Sequence, residues 1–221
     1  MSLDDLIPPL PLTRGDRAPL RFEGLIAGVR FVPTRHHRIT RPGLALHDES
    51  GPVDEMAAHE LFEVLETDGA RAFGQNLRTG LIGWCEASGL APFDGNWSEP
   101  LPELLRPVPA ALDVARACLG RPFVRGGRGQ AGFDAAGLIR HVAFARARSA
   151  IGPLAHMTAH TGDVVSEAPR PGDLVFFDDH AGVLDDAGAL IHPCEMHGAV
   201  LAEPLARICE RRGPVRITRR L

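Results

Sequence analysis

Two histidines, His180 and His192, stand twelve residues apart on either side of the turn sequence Asp185-Asp-Ala-Gly188. In an antiparallel strand pair, residues so spaced can lie side by side on one face. Adjacent imidazoles suit acid–base work, in which one exchanges a proton and the other holds it in orientation. With Asp178 or Asp179 they could instead begin a metal site. Only the two histidines have an expected relation in space, so no metal and no other cofactor is expected. A helix is expected to open near Asp134, and the residues there are Asp134-Ala135-Ala136-Gly137.

The other reactive residue types offer less. Cys85, Cys118, Cys194 and Cys209 show neither CxxC pairing nor metal spacing, so free thiols are expected. Cys194 follows Pro193, away from any expected helix start, and is not expected to act as a nucleophile. Gly126, Gly127 and Gly129 suggest a phosphate cradle, but no P-loop Lys-Ser/Thr follows; a tight turn delivering the helix is expected instead. His141 and His197 are expected on the surface or on a helix face, and His36-His37 in a polar loop. Asp134 is expected to cap the helix.

The elements that position these residues fall into two groups. Residues 1–24 are Pro-rich and polar, and an extended arm is expected. From 25 to 90 short strand patterns alternate with turns. In Leu61-Phe-Glu-Val-Leu-Glu, Leu61, Glu63 and Leu65 share one face, and Phe62 and Val64 the other. Asp68-Gly69 and Arg78-Thr-Gly80 are turns. Residues 91–109 are Pro-rich and are expected to form a linker. From 110 to 221 the pattern is helical and then stranded. Leu112, Ala115, Cys118 and Leu119 fall on one helix face, ended by Gly120; Leu138, Ile139 and Val142 are buried by the next helix. Strands follow at Asp173-Leu-Val-Phe-Phe, Ala181-Gly-Val-Leu and Ala189-Leu-Ile-His. Helices followed by antiparallel strands indicate an α+β domain.

Composition narrows the classes of partner. Of 221 residues, 44% are hydrophobic and 24% charged, as in a soluble globular chain, and the net charge of −4 gives no basic field for nucleic acid. The C-terminal arginines (Arg211, Arg212, Arg219, Arg220) are expected to be solvated. The first ten residues lack the basic and apolar regions of a secretory signal. No apolar run approaches the ~18 residues of a membrane span. A cytoplasmic location is expected, or a periplasmic one if a leader has been removed.

Three motifs carry a resemblance. Gly132-Phe-Asp-Ala-Ala-Gly-Leu-Ile139 is similar to the nucleophile segment of NlpC/p60-type cell-wall cysteine peptidases, which usually has Asp-Cys-Ser-Gly or Asp-Cys-Ala-Gly. Pro171-Gly-Asp-Leu-Val-Phe-Phe leads into His180-Ala-Gly-Val, and Leu190-Ile-His192 follows; both resemble the histidine motifs of that family. His192-Pro-Cys, His197-Gly-Ala-Val and Glu203-Pro-Leu resemble the tail of its γ-D-glutamyl–diamino acid endopeptidase branch. The resemblance implies a papain-like α+β domain, with Ala135 at the nucleophile position, His180 as general base and His192 as its orienter. Phe123, Arg125, Asp134 and Ala136 would line the substrate groove. Phe123-Val-Arg-Gly-Gly stands where the family has Tyr-Val-Trp-Gly-Gly, and Leu154-Ala-His-Met where that branch often has Pro-Arg-Asp-Ser. Residues 25–90, through Phe62–Gly69, Ala72–Gln75 and Gly80–Cys85, resemble a bacterial SH3-like barrel, with Trp84 expected in its core.

Three functions follow. In the first, the chain is an inactive relative of peptidoglycan-peptide hydrolases that binds a stem peptide or a partner protein in its groove. In the second, it is an active endopeptidase whose cysteine at position 135 has been replaced by alanine for study. In the third, it is a structural or assembly module.

Overall fold

The period-two alternation after Arg35 builds sheet, and the Gly- and Asp-rich turns fold that sheet back on itself. The computed structural model describes residues 11–93, 95 and 108–221, in two compact units, Met1–Ser98 and Glu99–Leu221. The first unit is all β. Its strands are β1 (Arg17–Pro19), β2 (Arg30–Val32), β3 (Arg35–Ile39), β4 (Leu44–Asp48), β5 (Gly51–Met56), β6 (Leu61–Asp68), β7 (Arg71–Asn76), β8 (Ile82–Glu86) and β9 (Leu90–Pro92). β1 and β2 pair in parallel; the other seven form one sheet in the order β5-β4-β8-β7-β6-β3-β9.

The two faces of β6 separate as the alternation requires. Phe62 and Val64 join Ile39, Leu46 and Met56 in one core cluster, while Leu65 packs with Leu12, Ala18 and Phe22 in another. That second cluster corrects the expectation of an N-terminal arm. Residues 11–24 are folded onto the sheet because Leu12 and Phe22 bury their apolar surface there; residues 1–10 of the expected arm lie outside the described residues. Glu63 is buried on the same face, where it takes a hydrogen bond from Thr34 (2.7 Å) and an ion pair from Arg21 (2.5 Å). His36 and His37 lie on β3, paired with Glu63 and Phe62, and not in a loop. Trp84 is half-buried, outside the core cluster. The Arg14 and Arg71 guanidiniums lie 4.4 and 4.7 Å from its ring centroid, so its π faces are used for cation contacts. The expected linker also starts later than residue 91, because β9 runs to Pro92 against β3. Residues 94 and 96–107 lie outside the described residues.

The second unit is α+β. Its helices are α1 (Ala111–Ala117), α2 (Ala135–Ala145), α3 (Leu154–His160) and α4 (Leu205–Arg212). Its strands are β10 (Asp163–Val164), β11 (Leu174–Phe176), β12 (Ala181–Leu184), β13 (Ala189–Cys194), β14 (Ala199–Pro204) and β15 (Ile217–Arg220). The sheet order is β10-β15-β11-β12-β13-β14, antiparallel at each described pairing. Leu138, Ile139 and Val142 on α2 are fully buried against Phe176, Ala181, Val183 and Ile191 of the sheet. Ala115 and Cys118 are buried as their spacing implies, but Leu119 is exposed, because α1 ends at Ala117 before Leu119 can share its face.

The C-terminal arginines are not simply solvated. Arg219 is buried and donates to the carbonyls of Thr158 (3.0 Å), Ala159 and Gly162 (3.2 Å), the last carbonyls of α3 and of the turn after it. A guanidinium there satisfies acceptors that the helix itself leaves open. Arg220 grips the buried Asp173 with two bonds of 2.7 and 2.8 Å, and Asp173 also accepts from the Arg170 N–H (2.8 Å). The Pro171-Gly-Asp173 turn is thereby tied to β15, which pairs with β11 on the way to His180.

β12 and β13 pair Val183 with Ile191 and Leu184 with Leu190. The same register sets Gly182 opposite His192, and a side chain at Gly182 would meet the Ile191 carbonyl oxygen at 2.5 Å and the His192 Cβ at 3.0 Å. Only glycine lets β13 lie this close. Gly182→Ala is therefore expected to lower the urea unfolding free energy of the C-terminal unit by about 1–3 kcal/mol; an unchanged midpoint would mean that the strands separate without cost.

Candidate functional site

The start of α2 is set by Asp134. Its backbone is extended, and its two carboxylate oxygens accept 2.7 Å bonds from the Gly137 N–H and the Gly126 N–H. The first is an N-cap bond to a helix donor that would otherwise be open; the second ties the 126–127 turn to the helix. A Cβ at Gly137 would fall on the Gly127 carbonyl oxygen, so this glycine lets the turn approach. The three glycines thus form a turn delivering the helix, as the sequence suggested. Ala135 is the first residue of α2 and is buried.

His180 precedes β12 and His192 lies on β13. In the observed register they are diagonal neighbours on one face, not directly opposite. His180 Nε2 and His192 Nδ1 are 2.9 Å apart, and both rings are buried. His192 Nε2 lies 3.0 Å from Glu203 Oε2 on β14. Glu203 in turn receives Arg211 of α4 on both oxygens, at 3.1 and 2.5 Å. His192 pairs with Leu201, so Glu203 sits two residues along on the same face of the neighbouring strand.

These contacts fix every proton. The Arg211 guanidinium, followed by burial that opposes it and by the bond from His192, holds the Glu203 carboxyl below its ordinary range. Glu203 is therefore an acceptor only, and His192 donates its Nε2–H. A neutral His192 then has a bare Nδ1, which accepts from the Nε2–H of His180. His180 is left with its Nδ1 lone pair open, the form a general base requires. Burial, reinforced by His192 and by Arg212 and only partly offset by Asp179, pushes the His180 imidazole down to about 3. Burial also lowers His192, against the pull of Glu203.

The histidines line a cavity of about 240 Å³ with Cys194, Met196, Ile208, Arg211 and Arg212. Phe123, Arg125, Asp134 and Ala136 are not among the residues that line this cavity. Phe123 is half-buried, donates its N–H to the Gly198 carbonyl (2.8 Å) and bridges to Phe133. Arg125 is exposed, Ala136 is half-buried against the core, and Asp134 and Ala135 open the helix. The structure therefore joins His180 to His192 and adds two groups that the sequence reading did not assign, Glu203 and Arg211. Strand period alone could have found Glu203, once the turn at 195–198 fixed which residues of β14 face His192. His197, expected at the surface, is exposed but lies 3.1 Å from the Cys194 sulfur.

Two outcomes test this geometry. Since His180 is lowered in the folded state, the unfolded chain binds a proton that the native chain refuses between about pH 6.5 and 3. Stability is then lost as pH falls through that window, by up to ~1.4 kcal/mol per pH unit. His180→Gln should flatten that part of the urea-stability profile, and an unchanged slope would contradict the burial argument. In ¹⁵N NMR, His180 and His192 should both appear as Nε2–H tautomers at pH 7. Glu203→Gln should mix the tautomers of His192, whereas retention of a single form would remove Glu203 from the chain of bonds.

The model of the NlpC/P60 family matches residues 120–209. No curated protein sequence matches the chain. Among solved structures, NlpC1 from Trichomonas vaginalis is 18% identical, aligned over 85% of this chain and 69% of its own, with a TM-score of 0.43. An NlpC/P60 family protein from Bacillus cereus ATCC 10987 is 18% identical over 85% of this chain and 63% of its own, TM-score 0.48. RipD from Mycobacterium tuberculosis, described as a non-catalytic NlpC/p60 domain protein adapted to peptidoglycan binding, is 20% identical over 51% and 95%, TM-score 0.40. Residues 120–209 of the C-terminal unit thus carry the match to an NlpC/P60 family domain.

Proposed function

We propose that the C-terminal unit is a non-catalytic member of its family that binds peptidoglycan stem peptides of the γ-D-glutamyl–diamino acid type. One observation carries this reading. The residue that opens α2, at the position the family motif gives to the nucleophile, is Ala135. Loss of a nucleophile costs ~10⁴–10⁶ in rate, on the order of 5–8 kcal/mol of barrier. Neither base nor binding pocket recovers that, because neither forms the covalent bond. Departures at Phe123 and Arg125 from the aromatic residues usual in the family support the same reading, since they alter the surface beside the helix start and not its core.

A second reading is favoured by the intact chain of bonds from Arg211 through Glu203 and His192 to His180. A peptidase needs that orientation and a binding domain does not. On this reading position 135 is a cysteine in the working enzyme, and alanine is a replacement.

The two readings separate in one set of measurements on the full chain. With L-Ala-γ-D-Glu-diaminopimelate as ligand, calorimetry should show binding, while turnover should equal that of a His180→Ala control. Absence of binding, or turnover well above that control, would overturn the first reading. Ala135→Cys should remain inert, with an unchanged circular dichroism spectrum, if the groove has left catalysis. Thiol-dependent cleavage by Ala135→Cys, blocked by iodoacetamide, would establish the second.

A further inference from the structure

At the far end of β13, a second group of side chains meets that shares only Glu203 with the bonded histidine pair. Cys194 is the last residue of that strand, His197 lies in the following turn, and Glu203 is on β14. The Cys194 sulfur and His197 Nδ1 are 3.1 Å apart. One donor atom from each of Cys194, His197 and Glu203 lies within 4.8 Å of the other two. Among the described residues, these three form the one such group of His, Cys, Asp and Glu.

We propose that Cys194, His197 and Glu203 form a binding site for a borderline-soft divalent cation of the zinc class. The donor set is one thiolate sulfur, one imidazole nitrogen and one carboxylate oxygen, a mixture that suits such ions and is poor for the oxygen-seeking magnesium and calcium. A tetrahedral ion with bonds of ~2.0–2.3 Å brings its donor atoms to roughly 3.3–3.8 Å of one another, so the present spacing, within 4.8 Å, needs a contraction of up to about 1.5 Å. The turn can supply this, because Glu195, Met196, His197 and Gly198 are all exposed and Gly198 has a φ of +66°. Cys194 itself is held by the strand, where it pairs with Ala199.

Glu203 can serve both roles. Among the described residues, its Oε2 accepts from His192 and Arg211, whereas its Oε1 accepts from Arg211 alone, at 3.1 Å. A carboxylate oxygen has two lone pairs, so Oε1 keeps one for a cation. The neighbouring Arg211 and Arg212 oppose a cation, but Arg211 is neutralised by Glu203 and Arg212 by Asp179 at 2.7 Å. Binding would take the Cys194 thiol proton into solvent and leave a sulfur–metal bond. Three protein donors leave a fourth position for water or a ligand, beside a cavity that Cys194 lines together with His180. The site is independent of whether the chain binds or cleaves a peptide.

The test uses cobalt(II) as the probe, on the full reduced chain at pH 7.5. The expected result is a near-ultraviolet thiolate-to-cobalt charge-transfer band with visible bands of tetrahedral intensity, both bleached by zinc(II). Cys194→Ser should abolish the charge-transfer band, and Cys209→Ser should leave it. His197→Ala should weaken cobalt binding by more than the ~10–100-fold that loss of an outer-shell partner costs. Because the unaltered chain gives the band by itself, a variant that fails to fold does not decide the matter. No charge-transfer band at millimolar cobalt, or a band that survives in folded Cys194→Ser, would overturn the site.

Discussion

The bond between two neutral buried imidazoles is the constraint on which the C-terminal unit's chemistry depends. Such a bond needs one ring to donate and the other to accept, and an isolated pair could satisfy it in either sense. Glu203 breaks the tie. As an ionised acceptor it takes the Nε2 proton of His192, and the remaining protons follow without further choice. Arg211 keeps Glu203 ionised beside two apolar-buried rings, so the positive charge of α4 sets which nitrogen of His180, three residues away along the chain of bonds, is basic. This is orientation by hydrogen bonding and not by bulk charge.

The sheet makes the arrangement possible by close approach. β12 and β13 lie near enough for a diagonal histidine contact only because Gly182 presents no side chain toward Ile191 and His192. The helix start obeys the same rule, with Gly137 admitting the Gly127 carbonyl and Asp134 binding both partners. Glycine in these two motifs is therefore read as a steric requirement and not as turn flexibility. Behind them the core is ordinary: α2 buries Leu138, Ile139 and Val142 against the strands that carry the histidines.

Much of this was legible in the chain. The α2 face, the 180–192 spacing, the Asp185–Gly188 turn and the Asp134 cap each follow from a local rule, and each is present in the structure. What was not legible depends on partners distant in sequence. Arg219 and Arg220 look solvated until β15 is placed beside β11, where open carbonyls and the Asp173 carboxylate await them. Leu12 and Phe22 look like parts of an arm until Leu65 supplies an apolar face to cover. Trp84 looks like core until arginines occupy its faces. Glu203 and Arg211 were missed for the same reason, since their meaning lies in a strand register and in a helix that no local period announced. Amphipathic pattern reports which residues will be covered, but not which of two distant chains will do the covering.

The alanine at the helix start carries neither a charge nor a reactive atom. A thiolate beside an imidazole favours the protonated ring, because opposite charges at short range offset the cost of burying each. Ala135 has no charge to give, and the groups that act on His180 are burial, His192 and Arg212, all of which favour the neutral ring, against Asp179 alone. The ring is accordingly stable as a neutral acceptor over the whole neutral range. A neutral acceptor can receive an amide N–H or a hydroxyl from a ligand without transferring anything to it. The bonded histidines, held neutral in this way, offer a hydrogen-bonding site.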